Sequence, residues 1–243
     1  MKQIPALSAL PIFAAVLGIL MGACGAPPGQ HRAGSVEVAP NDVVEFDALY
    51  ANNCAGCHGP NGRGGAAIAL ANPVYLAMAD DVAIRGHIAN GVSGTAMPAF
   101  ARAAGGSLTM KQIDVLVSDM RSRWGHGIPD VHPPSYTTAS TGDPERGAAT
   151  YATYCESCHG RDGRGGSRAS AITNDSFLAL VSDQGLRSIV IAGRPELGAP
   201  DWRGNVPGTP MSEQEVTDVV AWLASHRVRT PGQPYAVSEN QQR

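Results

Sequence analysis

Two copies of one pentapeptide pattern, Cys54-Ala-Gly-Cys57-His58 and Cys155-Glu-Ser-Cys158-His159, stand 101 residues apart in a chain of 243. Four residues after each histidine comes the same tetrapeptide, Gly62-Arg63-Gly64-Gly65 and Gly163-Arg164-Gly165-Gly166. A motif repeated with matched flanks means that one folding unit occurs twice, and neither copy exceeds about 90 residues. Units of that size bury too little apolar surface to be strongly stable alone. Aromatic content is only 5%, against 29 glycines and 18 prolines, so each unit needs a staple or a bound group to complete its interior.

The pentapeptide supplies one. In C-x-x-C-H, two thiols add to the vinyl groups of a haem and the adjacent histidine ligates its iron from one side. Cys54, Cys57, Cys155 and Cys158 are therefore the candidate attachment residues, His58 and His159 the candidate iron ligands, and two covalently bound haem c groups the implied cofactors. A lone C-x-x-C also fits a dithiol redox pair or half a zinc site; two copies, each ending in histidine, disfavour both. The glycine-rich tetrapeptides follow this motif rather than a strand, which argues against phosphate binding. Arg63 and Arg164 keep two readings, as partners of haem propionates or as solvated arginines in a turn. A net charge of -3 offers no basic footprint for nucleic acid.

Four of the five cysteines belong to the motifs, which leaves Cys24 and no disulfide framework. Lys2, an almost uncharged apolar stretch from Ile4 to Met21 and the small residues Gly22-Ala23 read as a signal peptide over residues 1–23. Pro5 and Pro11 weaken the alternative of a retained membrane helix. Small residues leading into Cys24 resemble the lipobox of bacterial lipoproteins, with Met21 where leucine is usual. That resemblance implies acylation at Cys24 and a chain anchored by lipid to the periplasmic face of a bacterial membrane; plain secretion is the alternative. Residues 24–40 form a Gly/Pro/Ala-rich tether. A first domain spans 41–124, a Pro/Gly/Ser/Thr-rich linker 125–142, a second domain 143–229 and a polar tail 230–243.

Both domains read as helical. Asp143-Pro144 is a good N-cap and first-turn pair. Leu108, Ile113, Leu116, Val117 and Met120 give an apolar stripe after Thr109, and Val216, Val219, Val220 and Leu223 give another after Ser212-x-x-Glu215, which has capping-box spacing. Middle helices are marked by Val82, Ile84, Arg85 and Ile88, and by Leu186, Arg187, Ile189 and Val190.

Helix, C-x-x-C-H, glycine-rich loop, middle helices, a Met-Pro loop and a terminal helix together resemble class I cytochrome c, twice over. The resemblance implies an all-α chain of two tandem cytochrome c-like domains, each around one haem, exported across the inner membrane. The family's methionine loop matches Gly94-Thr95-Ala96-Met97-Pro98-Ala99-Phe100, so Met97, 39 residues past His58, is the implied sixth ligand of the first haem. Met78 and Met110 read as packing. In the second domain Pro200 aligns with Pro98, Trp202 with Phe100 and Ala199 with Met97, and alanine cannot ligate iron. Three readings stay open: Met211 as ligand, although it aligns with Leu108; an open position; or a distant histidine, His126 or His132. His31, His87 and His226 are assigned no role. The function implied is electron transfer in a respiratory chain, free or as a cytochrome subunit, between redox partners such as a quinol-oxidising complex and a terminal oxidase or reductase. The alternative is a dihaem enzyme, peroxidase-like or a small-ligand reductase, working at an open second iron.

Overall fold

A computed structural model describes residues 38–126 and 132–228. The expected signal peptide, Cys24, most of the tether and the whole of the tail at 230–243 lie outside the described residues. The described residues from Pro40 on form one compact unit.

The described helices are Phe46–Asn53 (α1), Ala55–His58 (α2), Pro73–Met78 (α3), Asp81–Asn90 (α4) and Met110–Trp124 (α5) in the first half. Pro144–Tyr154 (α6), Glu156–His159 (α7), Asp175–Leu180 (α8), Asp183–Ala192 (α9) and Glu213–Ser225 (α10) follow in the second. Single 3₁₀ turns lie at Arg102–Ala104 and Pro195–Leu197. The described residues contain no strand, only isolated bridges at Ala101–Leu108 and Arg194–Ala199. The fold is all-α, with the same element order twice.

The terminal helices α5 and α10 carry the deepest apolar stripes. Ile113, Leu116, Val117 and Met120 are buried on α5, and Val216, Val219, Val220 and Leu223 on α10. Both begin in a full capping box. Ser212 and Glu215 form the one visible in the sequence, while Thr109 and Gln112 form a second that sequence reading passed over. On α4, Ile84 and Ile88 face inward, but Val82 is 77% exposed. Met110, expected to pack, is 48% exposed, because it occupies the first turn of α5 ahead of the buried stripe.

The first and last helices of each half are fastened by different chemistry. In the first half the Gln112 side-chain amide donates to the carbonyls of Pro40 and Val43, both at 2.9 Å, and Trp124 meets Phe46 and Tyr50 edge-on. In the second, Asp143 caps α6 as its pairing with Pro144 predicts. The buried Asp218 carboxylate of α10 accepts from the Asp143 backbone N–H at 2.8 Å and from Arg146 Nε and Nη2 at 2.8 and 2.9 Å. Trp222 stacks on Tyr151 at 4.0 Å between centroids.

The two halves share one apolar core. A single cluster of buried side chains runs from Phe46, Leu76 and Leu116 to Tyr151, Ile191, Trp202 and Val219. Helix α3 packs on α9, and Asn72, 3% exposed, ties them. Its carbonyl oxygen caps α3 by accepting from Val74 and Tyr75, while its amide donates across the junction to the Ala192 carbonyl at 2.9 Å. The second part of the linker straps the same junction. The Ser135 carbonyl accepts from Arg187 Nε at 2.9 Å, the Tyr136 carbonyl accepts from Gln184 at 2.7 Å, and the Tyr136 hydroxyl meets His87 Nδ1 at 3.3 Å.

Asn72→Ala removes a helix cap and a buried cross-half hydrogen bond, each worth about 1 kcal/mol. A loss of about 2 kcal/mol in denaturant unfolding is expected, against near-zero for an exposed asparagine such as Asn52. The hydrogen bond from Arg146 holds the Asp218 carboxyl below its ordinary value of 3.8. A carboxyl depressed in the folded state stabilises above its unfolded pKa and loses that contribution as pH falls through the folded one. Asp218→Asn is expected to lower stability at neutral pH and to flatten the decline below about pH 4, read from unfolding curves across that range.

Candidate functional site

Each motif is wound onto the end of a longer helix. The Cys54 N–H donates to the Tyr50 carbonyl at 2.8 Å, and the next turn closes from Cys57 and His58 back to the Cys54 carbonyl at 3.1 and 3.0 Å. The second copy repeats this with Cys155 on Tyr151, and Cys158 and His159 on Cys155, at 2.8, 3.1 and 3.0 Å. A helical turn sets residues three apart on one face, so two thiols point the same way with a histidine beside them.

Each histidine is aimed by one hydrogen bond. His58 Nδ1 lies 2.8 Å from the Ile68 carbonyl and His159 Nδ1 lies 2.8 Å from the Ser170 carbonyl. A carbonyl only accepts, so Nδ1 carries the proton and Nε2 is left with a lone pair, the arrangement that suits a metal-ligating imidazole. Burial depresses the pKa of His58, which keeps it in the neutral form that ligates.

Burial, with the neighbouring thiol second, pushes Cys54 up to about 11 and Cys155 up to about 12, so the first thiol of each pair is not an activated one. Among the described residues no group of three His, Cys, Asp or Glu side chains is placed to hold a metal ion. The glycines pack the loop down on the motif. A Cβ on Gly59, whose φ is +84°, would fall 1.8 Å from the Arg63 carbonyl oxygen, and one on Gly65 would fall 2.1 Å from the Cys57 carbonyl oxygen. The Tyr50 hydroxyl donates to the Gly59 carbonyl at 2.8 Å, and Tyr151 to that of Gly160 at 2.5 Å. Arg63 places Nη2 2.6 Å from the Ala71 carbonyl, closing the loop.

The two ligand loops share one backbone register. In the first, Val92 N–H donates to the Met97 carbonyl at 3.1 Å and Thr95 N–H to the Val92 carbonyl at 3.2 Å. In the second, Arg194 N–H donates to the Ala199 carbonyl at 2.9 Å and Leu197 N–H to the Arg194 carbonyl at 2.8 Å. Ala199 thus occupies the backbone place of Met97. Met97 is half-buried and packs on the core. Met211 is 3% exposed, and its N–H donates to the Trp202 carbonyl at 2.9 Å as that of Leu108 donates to Phe100 at 2.8 Å. His126 and His132 are exposed, and His226 Nδ1 lies 2.8 Å from the Trp222 carbonyl.

Two residues that sequence reading passed over join the sites. Arg194, at the head of the second ligand loop, donates from Nη2 to the Gly65 carbonyl of the first glycine loop at 2.8 Å and pairs with Glu196 at 2.5 Å. Asn72 reaches the Ala192 and Gly193 carbonyls just before that loop. The ligand loop of the second half therefore rests against the motif side of the first.

The family model for cytochrome c oxidase, cbb3-type, subunit III matches residues 41–118 and 142–223. The chain belongs to this cytochrome c family. The match falls once on each half, as the paired motifs require, and cytochrome c domains carry covalently bound haem c. No curated protein matches this cytochrome. Among solved structures it is similar to the reducing HAO-like protein complex of Kuenenia stuttgartiensis, at 17% identity and a TM-score of 0.43 over 79% of this chain and 100% of that one. It is also similar to the thiosulfate dehydrogenase TsdBA of Marichromatium purpuratum, as isolated, at 21% identity and a TM-score of 0.30 over 88% of this chain. The cytochrome spans 52% of the length of that dehydrogenase chain.

Proposed function

We propose that this cytochrome is a two-haem electron carrier, exported and held at the periplasmic face of a bacterial membrane through an acylated Cys24. The observation that carries the reading is the twofold repetition of one donor set, a pair of thiols on a helical turn with an imidazole whose Nδ1 is tied to a carbonyl. Cys54, Cys57 and His58 hold the first haem, and Cys155, Cys158 and His159 the second. Bound haem supplies one-electron iron chemistry. The chain's part is to bind it, orient the imidazole and keep water from its faces. Met97, in the first ligand loop, would supply a thioether to the first iron, and thioether ligation together with histidine would stabilise the reduced state and raise the potential. Among the described residues no helix is long and apolar enough to cross a membrane, and lipid at Cys24 provides an anchor of another kind. The family description, a subunit of a terminal oxidase, supports an oxidase or its quinol-oxidising donor complex as redox partners.

The intact mass of the protein isolated from membranes is expected to equal the chain from Cys24 plus two haems and its acyl chains; a mass with one haem or none overturns the reading. Redox titration is expected to resolve two one-electron steps. Met97→His is expected to lower the higher one by a sizeable part of the about 0.8 V that axial ligation spans and to leave both haems attached.

A further inference from the structure

The second half keeps the motif, the aimed histidine and the ligand loop, yet its loop carries no thioether at the position that corresponds to Met97. Matched hydrogen bonds put Ala199 in the place of Met97, so the register is set by the backbone and not only by alignment. Relative to methionine, alanine lacks three heavy atoms, including the sulfur that could reach iron. Met211 is poorly placed to substitute. It fills the core slot that Leu108 fills in the first half, and it directly precedes Ser212, whose hydroxyl and N–H both bond the Glu215 carboxylate at 2.7 and 2.8 Å. Bringing Met211 to the iron would undo that capping box and empty a buried position.

The loop is also held where it stands. Its first residue, Arg194, is fastened to Gly65 of the other half and to Glu196, and the Gly193 behind it leaves no room for a Cβ, which would meet the Pro200 carbonyl oxygen at 2.3 Å. Every charge in residues 194–203 is paired, Arg194 with Glu196 and Asp201 with Arg203 at 2.7 Å. The loop therefore has no spare charge with which to recruit an ion.

Resting on the two-haem reading above, we infer that the sixth position of the second iron is open and binds a small uncharged ligand, carbon monoxide being the probe. Binding to ferrous iron is simple coordination, with no bond broken and no electron transferred.

The test adds carbon monoxide to the fully reduced, membrane-extracted protein, after its two haems have been counted in the same sample. Uptake of one carbon monoxide per two haems is expected, together with a ferric high-spin signal from one haem and a red-end Met–Fe(III) band from the other. Ala199→Met is expected to abolish uptake and double the red-end band, while Met211→Leu leaves both unchanged. Two attached haems with no uptake would overturn the inference and leave electron transfer standing. Uptake that appears only in Met211→Leu would make Met211 the ligand and overturn it equally. A sample without two haems fails the earlier reading before gas is added, and takes this one with it.

Discussion

The hydrogen bond from each motif histidine to a backbone carbonyl ten or eleven residues later is the contact on which the remaining architecture depends. For Nδ1 to meet the Ile68 or Ser170 carbonyl, the chain after the motif must turn back at once and lie flat on the turn it has just left. Only glycine permits that approach at 59 and 65, where any Cβ would enter a neighbouring carbonyl. The tyrosine one turn before the cysteines then locks the returning loop by donating to the glycine carbonyl after the histidine. The glycines of the Gly-Arg-Gly-Gly repeat, which viewed alone resembles an anion site, answer this packing demand.

From equivalent frames the halves diverge at their edges. The first fastens its opening segment with a neutral amide, Gln112, and an aromatic cluster. The second uses a buried carboxylate that must stay ionised, Asp218 with Arg146. Removing Arg146 would leave the buried carboxylate only the Asp143 N–H and the Gln214 amide, whereas Arg146 itself is largely exposed and also pairs with Asp143. The same asymmetry reaches the ligand loops, where Val92 is replaced by Arg194 and Met97 by Ala199. The second loop gives up a thioether and gains an anchor to the first half. One cytochrome thus holds a loop that carries a methionine next to one whose loop serves the junction.

The junction is what separates the sequence reading from the structure. A chain with 41–124 and 143–229 as repeats and a Pro/Gly/Ser/Thr-rich segment between them reads as beads on a string. In the fold, α3 lies on α9, and Ser135 and Tyr136 of that segment are gripped by Arg187, Gln184 and His87. Nothing local marks Asn72 as more than a helix cap, because an asparagine that caps a helix and one that also bonds 120 residues away have the same sequence context. Arg187 stands four residues after the aspartate that opens its helix, as Arg85 does, yet the side chain of one is 4% exposed and that of the other 46%.

The sequence by itself determined the chemistry and the repeat: the thiol pairs, the histidines beside them, the methionine loop of the first half, its absence in the second, the all-helical pattern and the apolar stripes of the terminal helices. These are local signals, set by spacings of one to four residues along a helix or by a motif whose bonding is covalent. The tertiary structure alone decided which way each imidazole points, that Met211 sits in the core rather than in the ligand loop, and that two small units close on each other to complete a single interior. Those outcomes depend on pairs of residues far apart in the chain, whose meeting is governed by the burial of shared apolar surface and not by any pattern along it.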